Sequence, residues 1–178
     1  YRFFSKKIIY DIEDNILHNK SEKKLNFNLR SINKIKYLIR KSDQIICSSP
    51  DLKKKCNLIS KKNNCFYIPP SLNLNKYVIK HKNLNKKITI GWTGTFSSKK
   101  YLDVVLPVLT KLSKIREFEF TIISNFKFKS NDLEIKFIRW NKTSEINDLN
   151  NFDIGIYPLI NDDWIIGKSG LKTLQYMA

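Results

Sequence analysis

Three stretches of this sequence hold residue types that can handle charge. The first is Gly91-Trp92-Thr93-Gly94-Thr95, which follows the run Ile88-Thr89-Ile90 and precedes Lys99 and Lys100. Glycine after a buried strand lets backbone approach a ligand closely, and the N-terminus of the next helix attracts phosphate. Lysines in that first turn oppose the helix dipole, a small cost that a bound anion would offset. The second is Gly167-Lys168-Ser169-Gly170-Leu171-Lys172. Here backbone N–H groups, a hydroxyl and two ammonium groups meet at the expected start of a helix, the parts of an anion site. Spaced four apart, Lys168 and Lys172 are expected on one helix face. The third is the acidic trio Asp11, Glu13 and Asp14, which closes a short apolar run. Carboxylates of this kind can ligate a hard cation, but a domain-interface role is preferred, with a solvated turn or a helix cap as the plain reading, and no metal site is expected. The first two stretches also have plain readings, as an ordinary strand-to-helix turn and a solvated basic helix.

The Gly91 stretch is not a dinucleotide fingerprint, because the G-x-G-x-x-G spacing is absent, and no Gly-Lys-Ser/Thr in the chain has the upstream glycine of a Walker loop. His18 and His81 lie in polar segments, and no Ser/His/Asp or Cys/His arrangement is readable. Cys47, Cys56 and Cys65 form no Cys-x-x-Cys pair; their spacing of nine reads as chance and their odd number favours free thiols in a reducing compartment. Trp92 and Trp164 flank the glycine stretches, and tryptophan there is more often core than a sugar platform.

The elements that must position these residues alternate. Lys7 to Ile12 reads as a strand, Leu25 to Lys41 as an amphipathic helix with a basic outer face, and Gln44 to Ser48 as a strand. Ser49 and Pro50 mark a helix start, as N-cap and first helical residue. A strand over Cys65 to Ile68 stops at Pro69-Pro70. Next come a strand over Lys87 to Trp92, a turn at Thr93-Gly94-Thr95, and a helix from Ser98 to Lys114. Strands over Phe118 to Ser124 and Glu134 to Arg139 follow, then a short helix around Thr143 to Leu149 and a strand over Phe152 to Pro158. A loop from Leu159 to Gly167 leads to a last helix from Lys168. Alternation of this kind predicts parallel sheets with helical connections. The Pro-, Asn- and Lys-rich stretch before Lys87 divides them: residues 1–78 as one α/β domain, 79–86 as the linker, 87–178 as a second.

Hydrophobic residues make up 42% of the 178, enough for packed cores. Lys and Arg number 33 against 16 Asp and Glu, a formal charge of +17. That excess points to nucleic acid or an anionic membrane surface. Joint abundance of Lys, Ile and Asn, all AT-rich codons, accounts for much of it without a partner. Base readout favours Arg over Lys, so no nucleic acid is expected. No apolar run approaches the roughly 20 residues of a membrane helix. Tyr1-Arg2-Phe3 lacks a Met and Tyr176-Met177-Ala178 falls inside a helical pattern, so both ends are expected to be cut.

Taken in order, these segments resemble the GT-B-fold retaining glycosyltransferases of family 4, the glycosyl transferases group 1. IGWTGTFSSKKYLDVVLPVLTKL is similar to that family's first donor-domain strand, glycine turn and helix. FDIGIYPLINDDWIIGKSGLKTLQYMA is similar to its donor-site strand, loop and helix, in a branch reading DIGI-PL…K…K-LQYMA. IIYDIEDNI resembles that branch's DxDD strand, SDQIICSSPDLKKKC its following strand and helix, and YIPPSLNLNKY its linker.

The resemblance implies two Rossmann-like parallel-sheet domains, both incomplete: the end of an acceptor domain, then a truncated donor domain. It implies a hexosyltransferase moving a sugar from a UDP- or GDP-sugar to a glycan or lipid-linked acceptor hydroxyl, in cell-surface polysaccharide or lipid-linked glycan synthesis. No cofactor or metal is expected. The implied location is cytoplasmic, at the inner face of the plasma membrane with peripheral contact to anionic lipid. Gly94, Thr95, Lys99, Lys100, Lys168, Ser169 and Lys172 would bind the donor diphosphate, and Asp11, Glu13 and Asp14 would serve the acceptor side or domain interface. The family's Glu-x7-Glu motif falls on Gly167 and Gln175. Gln175 could still bond a ribose hydroxyl as a neutral group; Gly167 cannot replace its glutamate, and no catalytic residue is assigned. Two other readings stand beside this one. One is a non-enzymatic basic module for nucleic acid or anionic membrane, the other an inactive nucleotide-binding α/β protein.

Overall fold

The chain is α/β, with two separate sheets of parallel strands. The computed structural model describes residues 4–17, 32–78, 87–161 and 165–178. His18, His81, Trp164, the proposed linker over 79–86 and the part of the first helix before Ile32 lie outside the described residues. Two compact units partition the chain: Tyr1–Pro70 with Asn161–Gly170, and Ser71–Ile160 with Leu171–Ala178.

In the first unit, β1 (Ile9–Ile12), β2 (Gln44–Cys47) and β3 (Cys65–Tyr67) form a sheet in that order. Both ladders are parallel, with Ile12 opposite Cys47 and Ile45 opposite Cys65. Helix α1 (Ile32–Lys41) turns Ile35 and Ile39 inward, and α2 (Pro50–Ser60) turns Leu52 and Cys56 inward. All four join Ile12, Ile45, Cys47 and Cys65 in one core. Each such aliphatic side chain contributes roughly 1.5–3 kcal/mol on burial. Ser49 caps α2 as expected, its hydroxyl accepting from the Leu52 N–H at 3.2 Å. The three cysteines, spaced nine apart, all enter this core as free thiols. A hydrogen bond from Cys56 pulls the Cys47 thiol below its ordinary range, and the same contact with burial drives Cys56 far up.

The second unit holds β4 (Ile88–Gly94), β5 (Phe118–Ser124), β6 (Ile135–Arg139) and β7 (Ile154–Gly155), in the order β6-β5-β4-β7 and all parallel. Helix α3 (Lys99–Ser113) joins β4 to β5, α4 (Glu145–Leu149) precedes β7, and α5 is Leu171–Met177. Ile90, Trp92, Leu102, Leu109, Phe120 and Ile122 make its main core. Among the described residues, no helix is long and apolar enough to cross a membrane.

Three expectations are corrected. Gly94 is the last residue of β4 rather than a turn residue, since its register with Ser124 continues the ladder. The strand expected over Phe152 to Pro158 pairs only at Ile154 and Gly155. The last helix starts at Leu171, not Lys168, because Gly167 ends a short 3-10 turn and Gly170 takes φ 74°. Lys168 therefore precedes the helix that carries Lys172, and the two do not share a helix face.

Candidate functional site

Strand order locates the site in the second unit. From β4 the chain builds β5 and β6 on one side, then returns to place β7 on the other. Connections diverge between β4 and β7, and in open parallel sheets ligands bind at the carboxyl ends of such a strand pair.

Alternation along β4 dictates what fills that gap. Successive residues of a strand aim their backbone groups to opposite sides, so Thr89, Gly91 and Thr93 address β7. The Asp153 N–H donates to the Thr89 carbonyl and the Ile156 N–H to the Gly91 carbonyl, each at 2.8 Å. There the ladder ends. Thr93, two residues on, is satisfied instead by α5: its N–H donates to the Tyr176 hydroxyl at 3.0 Å, and its carbonyl accepts from the Lys172 ammonium. Lys172 and Tyr176 are four apart and share a helix face.

Two glycines make room for this pair. A Cβ on Gly155 would stand 2.3 Å from the Tyr176 ring, and one on Gly94 would stand 2.3 Å from the Trp92 indole and 3.1 Å from Lys172 Nζ. The Lys172 ammonium lies 5.2 Å from the Trp92 ring centroid and 5.8 Å from that of Tyr157. Ring faces attract a cation. Burial raises the Tyr176 hydroxyl to about 12, against a smaller downward pull from the Thr93 N–H. Trp92 is a core residue at 1% exposure rather than an open platform.

Around this centre, Thr95 is exposed and its hydroxyl lies 2.9 Å from that of Ser97. The Phe96 N–H donates to Asn125 Oδ1 at 3.2 Å, which ties the β4 and β5 ends together. Ser98 gives α3 no side-chain cap. In the first turn of α3, Lys99 pairs with Asp103 at 3.1 Å and Lys100 lies 4.8 Å from the Tyr101 ring centroid. Gln175 is half-buried on α5.

Neither a family model nor a curated protein matches the chain.

Lys168 and Ser169 belong to the first unit, with the acidic trio. The Lys168 ammonium pairs with Asp14 Oδ1 at 2.9 Å. Ser48 donates to the Glu13 carbonyl at 2.5 Å. Gly167 is buried, and a Cβ there would stand 2.5 Å from the Asn15 backbone nitrogen. The segment after β7 is thus seated on the end of β1. Asp11 and Glu13 are exposed, Asp14 half-buried. Among the described residues, no group of three or more His, Cys, Asp or Glu side chains could hold a metal ion.

Sequence reasoning missed Tyr176 and Trp140. Tyr176 was visible as an aromatic four residues after Lys172. Trp140 directly follows β6 and is 42% exposed, its indole N–H fixed on Glu145 Oε1 at 3.1 Å. The register that aligns Gly94, Ser124 and Arg139 puts Thr95, Asn125 and Trp140 next along the same carboxyl edge.

Proposed function

We propose that the second unit binds a nucleoside diphosphate and serves as the donor side of a GT-B-type retaining glycosyltransferase. The observation that carries this reading is a lysine, Lys172, held over two aromatic rings at the β4/β7 switch point. Ammonium and backbone dipoles fixed at a sheet's carboxyl edge suit a diphosphate. During sugar transfer the leaving diphosphate gathers charge, and a cation already oriented stabilises it without reorganising. Gly94 and Thr95 approach the same group from β4, with Lys99 and Lys100 on the first turn of α3. Gln175 would meet the ribose. The exposed Trp140 ring supplies a surface for the base, two strands from β4 and so about 10 Å away. Lys168 and Ser169 stand with Asp14 in the first unit, where the acidic trio would serve the acceptor. The acceptor hydroxyl belongs to a glycan or lipid-linked glycan, and the reaction to the cytoplasmic side of the membrane.

The test is thermal protection by UDP and GDP. A nucleotide that binds only the folded protein raises its Tm. Lys172→Gln keeps a donor for Thr93 but removes the charge. A charge-assisted hydrogen bond is worth about 1.5–3 kcal/mol, so binding should weaken on the order of tenfold to a hundredfold. If neither nucleotide protects the native chain, or if Lys172→Gln is protected in full, the reading fails.

A further inference from the structure

The sugar-transfer reading makes no use of the cysteines, and what they do is independent of it. All three lie in the core of the first unit. Among the described residues, eight buried side chains form that core, and three of them are cysteines. Helix α2 meets the sheet through Leu52, Cys56 and Ser60, spaced four apart on one face. Only Leu52 is a full-sized aliphatic. The small side chains after it let the helix lie close to β2 and β3, and there sulfur meets sulfur. Cys56 hydrogen-bonds Cys47 at the end of β2, and Ser60 bonds the third thiol, Cys65 on β3.

Two thiols in contact can lose two hydrogens and become a disulfide. The sheet excludes one competing pair. Cys65 stands opposite Ile45, two residues back from Cys47. Neighbouring strands lie about 4.8 Å apart and each residue advances about 3.3 Å, so the Cα atoms of Cys47 and Cys65 are about 8 Å apart. A disulfide spans at most about 7 Å. The sulfurs of the remaining pair differ. The hydrogen bond from Cys56 makes Cys47 the more acidic thiol, helped by the Lys53 ammonium and opposed by burial and Asp11; Cys56 keeps its proton. Cys47 is therefore the nucleophile and Cys56 the resolving thiol. The Cys47 thiolate attacks one oxygen of hydrogen peroxide and the O–O bond breaks. The leaving hydroxide takes up the proton that Cys47 released, giving a sulfenic acid and water. The Cys56 sulfur attacks the sulfenic sulfur, the S–O bond breaks, and hydroxide leaves with the Cys56 proton as a second water. Access comes with opening of α2, whose fully buried residues are one leucine and two small side chains.

We propose that Cys47 and Cys56 form an oxidisable dithiol, which peroxide closes to a disulfide that fastens α2 to the end of β2. The bridge sits directly before Ser48 and Ser49, which hold the Glu13 carbonyl and the N-terminus of α2. A dithiol reductant reverses it.

Peptide mapping of the whole chain tests this. Trypsin separates the three thiols, because lysines stand between them at Lys53, Lys54 and Lys55 and at Lys61 and Lys62. The chain is treated with hydrogen peroxide, its remaining thiols are alkylated in urea, and the unreduced digest is read by mass. The peptides of Cys47 and Cys56 should appear linked, with Cys65 alkylated, and dithiothreitol should free both. A bridge that suits the native core also restrains the unfolded chain. Oxidation should therefore lower the unfolding equilibrium constant on the order of tenfold to a hundredfold, read from the urea midpoint. Cys65→Ala should keep the bridge and Cys56→Ala should abolish it. Three free thiols after peroxide, a bridge to Cys65 or between chains, or a urea midpoint that does not rise on oxidation would each overturn the proposal. All three are read on the native chain, so a variant that fails to fold leaves the test intact.

Discussion

Replacing Gly155 with Ala probes the seat of α5 directly. Gly155 lacks the positive φ found at Gly170, so alanine meets no backbone strain. Its methyl does meet the Tyr176 ring, at 2.3, 2.6 and 2.7 Å from three ring carbons. Ordinary carbon contacts begin near 3.5 Å, so the ring must retreat by about 1.2 Å or more. That retreat stretches the 3.0 Å bond between the Thr93 N–H and the Tyr176 hydroxyl beyond hydrogen-bond range. Overpacking costs about 1–3 kcal/mol and an orphaned N–H about 1–3 more. Lower unfolded-state entropy returns about 0.4–1 kcal/mol. The second unit should lose about 3 kcal/mol, within a span of about 1–5 kcal/mol. Tyr176→Phe, which removes the hydrogen bond and keeps the ring, should lose only about 1 kcal/mol. Gly155→Ala combined with Tyr176→Ala should cost less than the sum of the two single changes, because the overlap is gone. Urea unfolding gives the energies, and amide exchange at Thr93 reports the hydrogen bond. A Gly155→Ala protein within about 0.5 kcal/mol of the parent, its Thr93 amide still protected, would show that Tyr176 does not rest on Gly155.

Three other outcomes follow from the same structure. Tyr176 ionises near 12 when folded, against an ordinary 10.0. Its contribution is complete below pH 10 and disappears as pH climbs through 12, a loss of about 2–3 kcal/mol. Burial also raises Tyr10, so tyrosinate absorbance should show a late component that Tyr176→Phe reduces; all eight tyrosines ionising together near their ordinary value would contradict it. Gly167→Ala should destabilise the first unit by about 1–3 kcal/mol, since backbone rather than a flexible side chain blocks the methyl, and an unchanged urea midpoint would refute this. Ser49→Ala should cost about 1 kcal/mol through the lost cap of α2, read from the same midpoint, with no change as the contrary result.

Elements with local signals were readable in the sequence. Ser49-Pro50 marks the start of α2, and segments rich in β-branched and aromatic residues mark β4 and β5, buried among neighbouring strands. What escaped depended on distant partners. Phe152 to Pro158 reads as one strand from its apolar residues, yet its ladder stops at Gly155 because α5 side chains take the Thr93 backbone groups. No local pattern announces that substitution. Gly167 reads as a ligand loop and is instead a wedge against Asn15, far away in the chain. Likewise the nine-residue spacing of the cysteines carries no visible logic, until strand β2, helix α2 and strand β3 deliver them to one core.

The sequence offered two lysines for one anion, and their surroundings separate them. Lys168 meets the Asp14 carboxylate, while Lys172 meets the Thr93 carbonyl. A phosphate must compete with a full negative charge for the first ammonium and only with a dipole for the second. Gln175 bears on the same balance. It lies three residues from Lys172 on α5, a spacing at which side chains meet. A glutamate there would place a negative charge beside that ammonium. Neutral glutamine adds no charge beside Lys172, which in the proposed site would leave that ammonium's field to the diphosphate. At Gly167 the other departure is enforced by sterics, for no side chain fits against the Asn15 backbone. Gly167 thus answers to packing within the first unit, and in the proposed donor site of the second unit the charge would rest on Lys172 rather than on a glutamate at position 175.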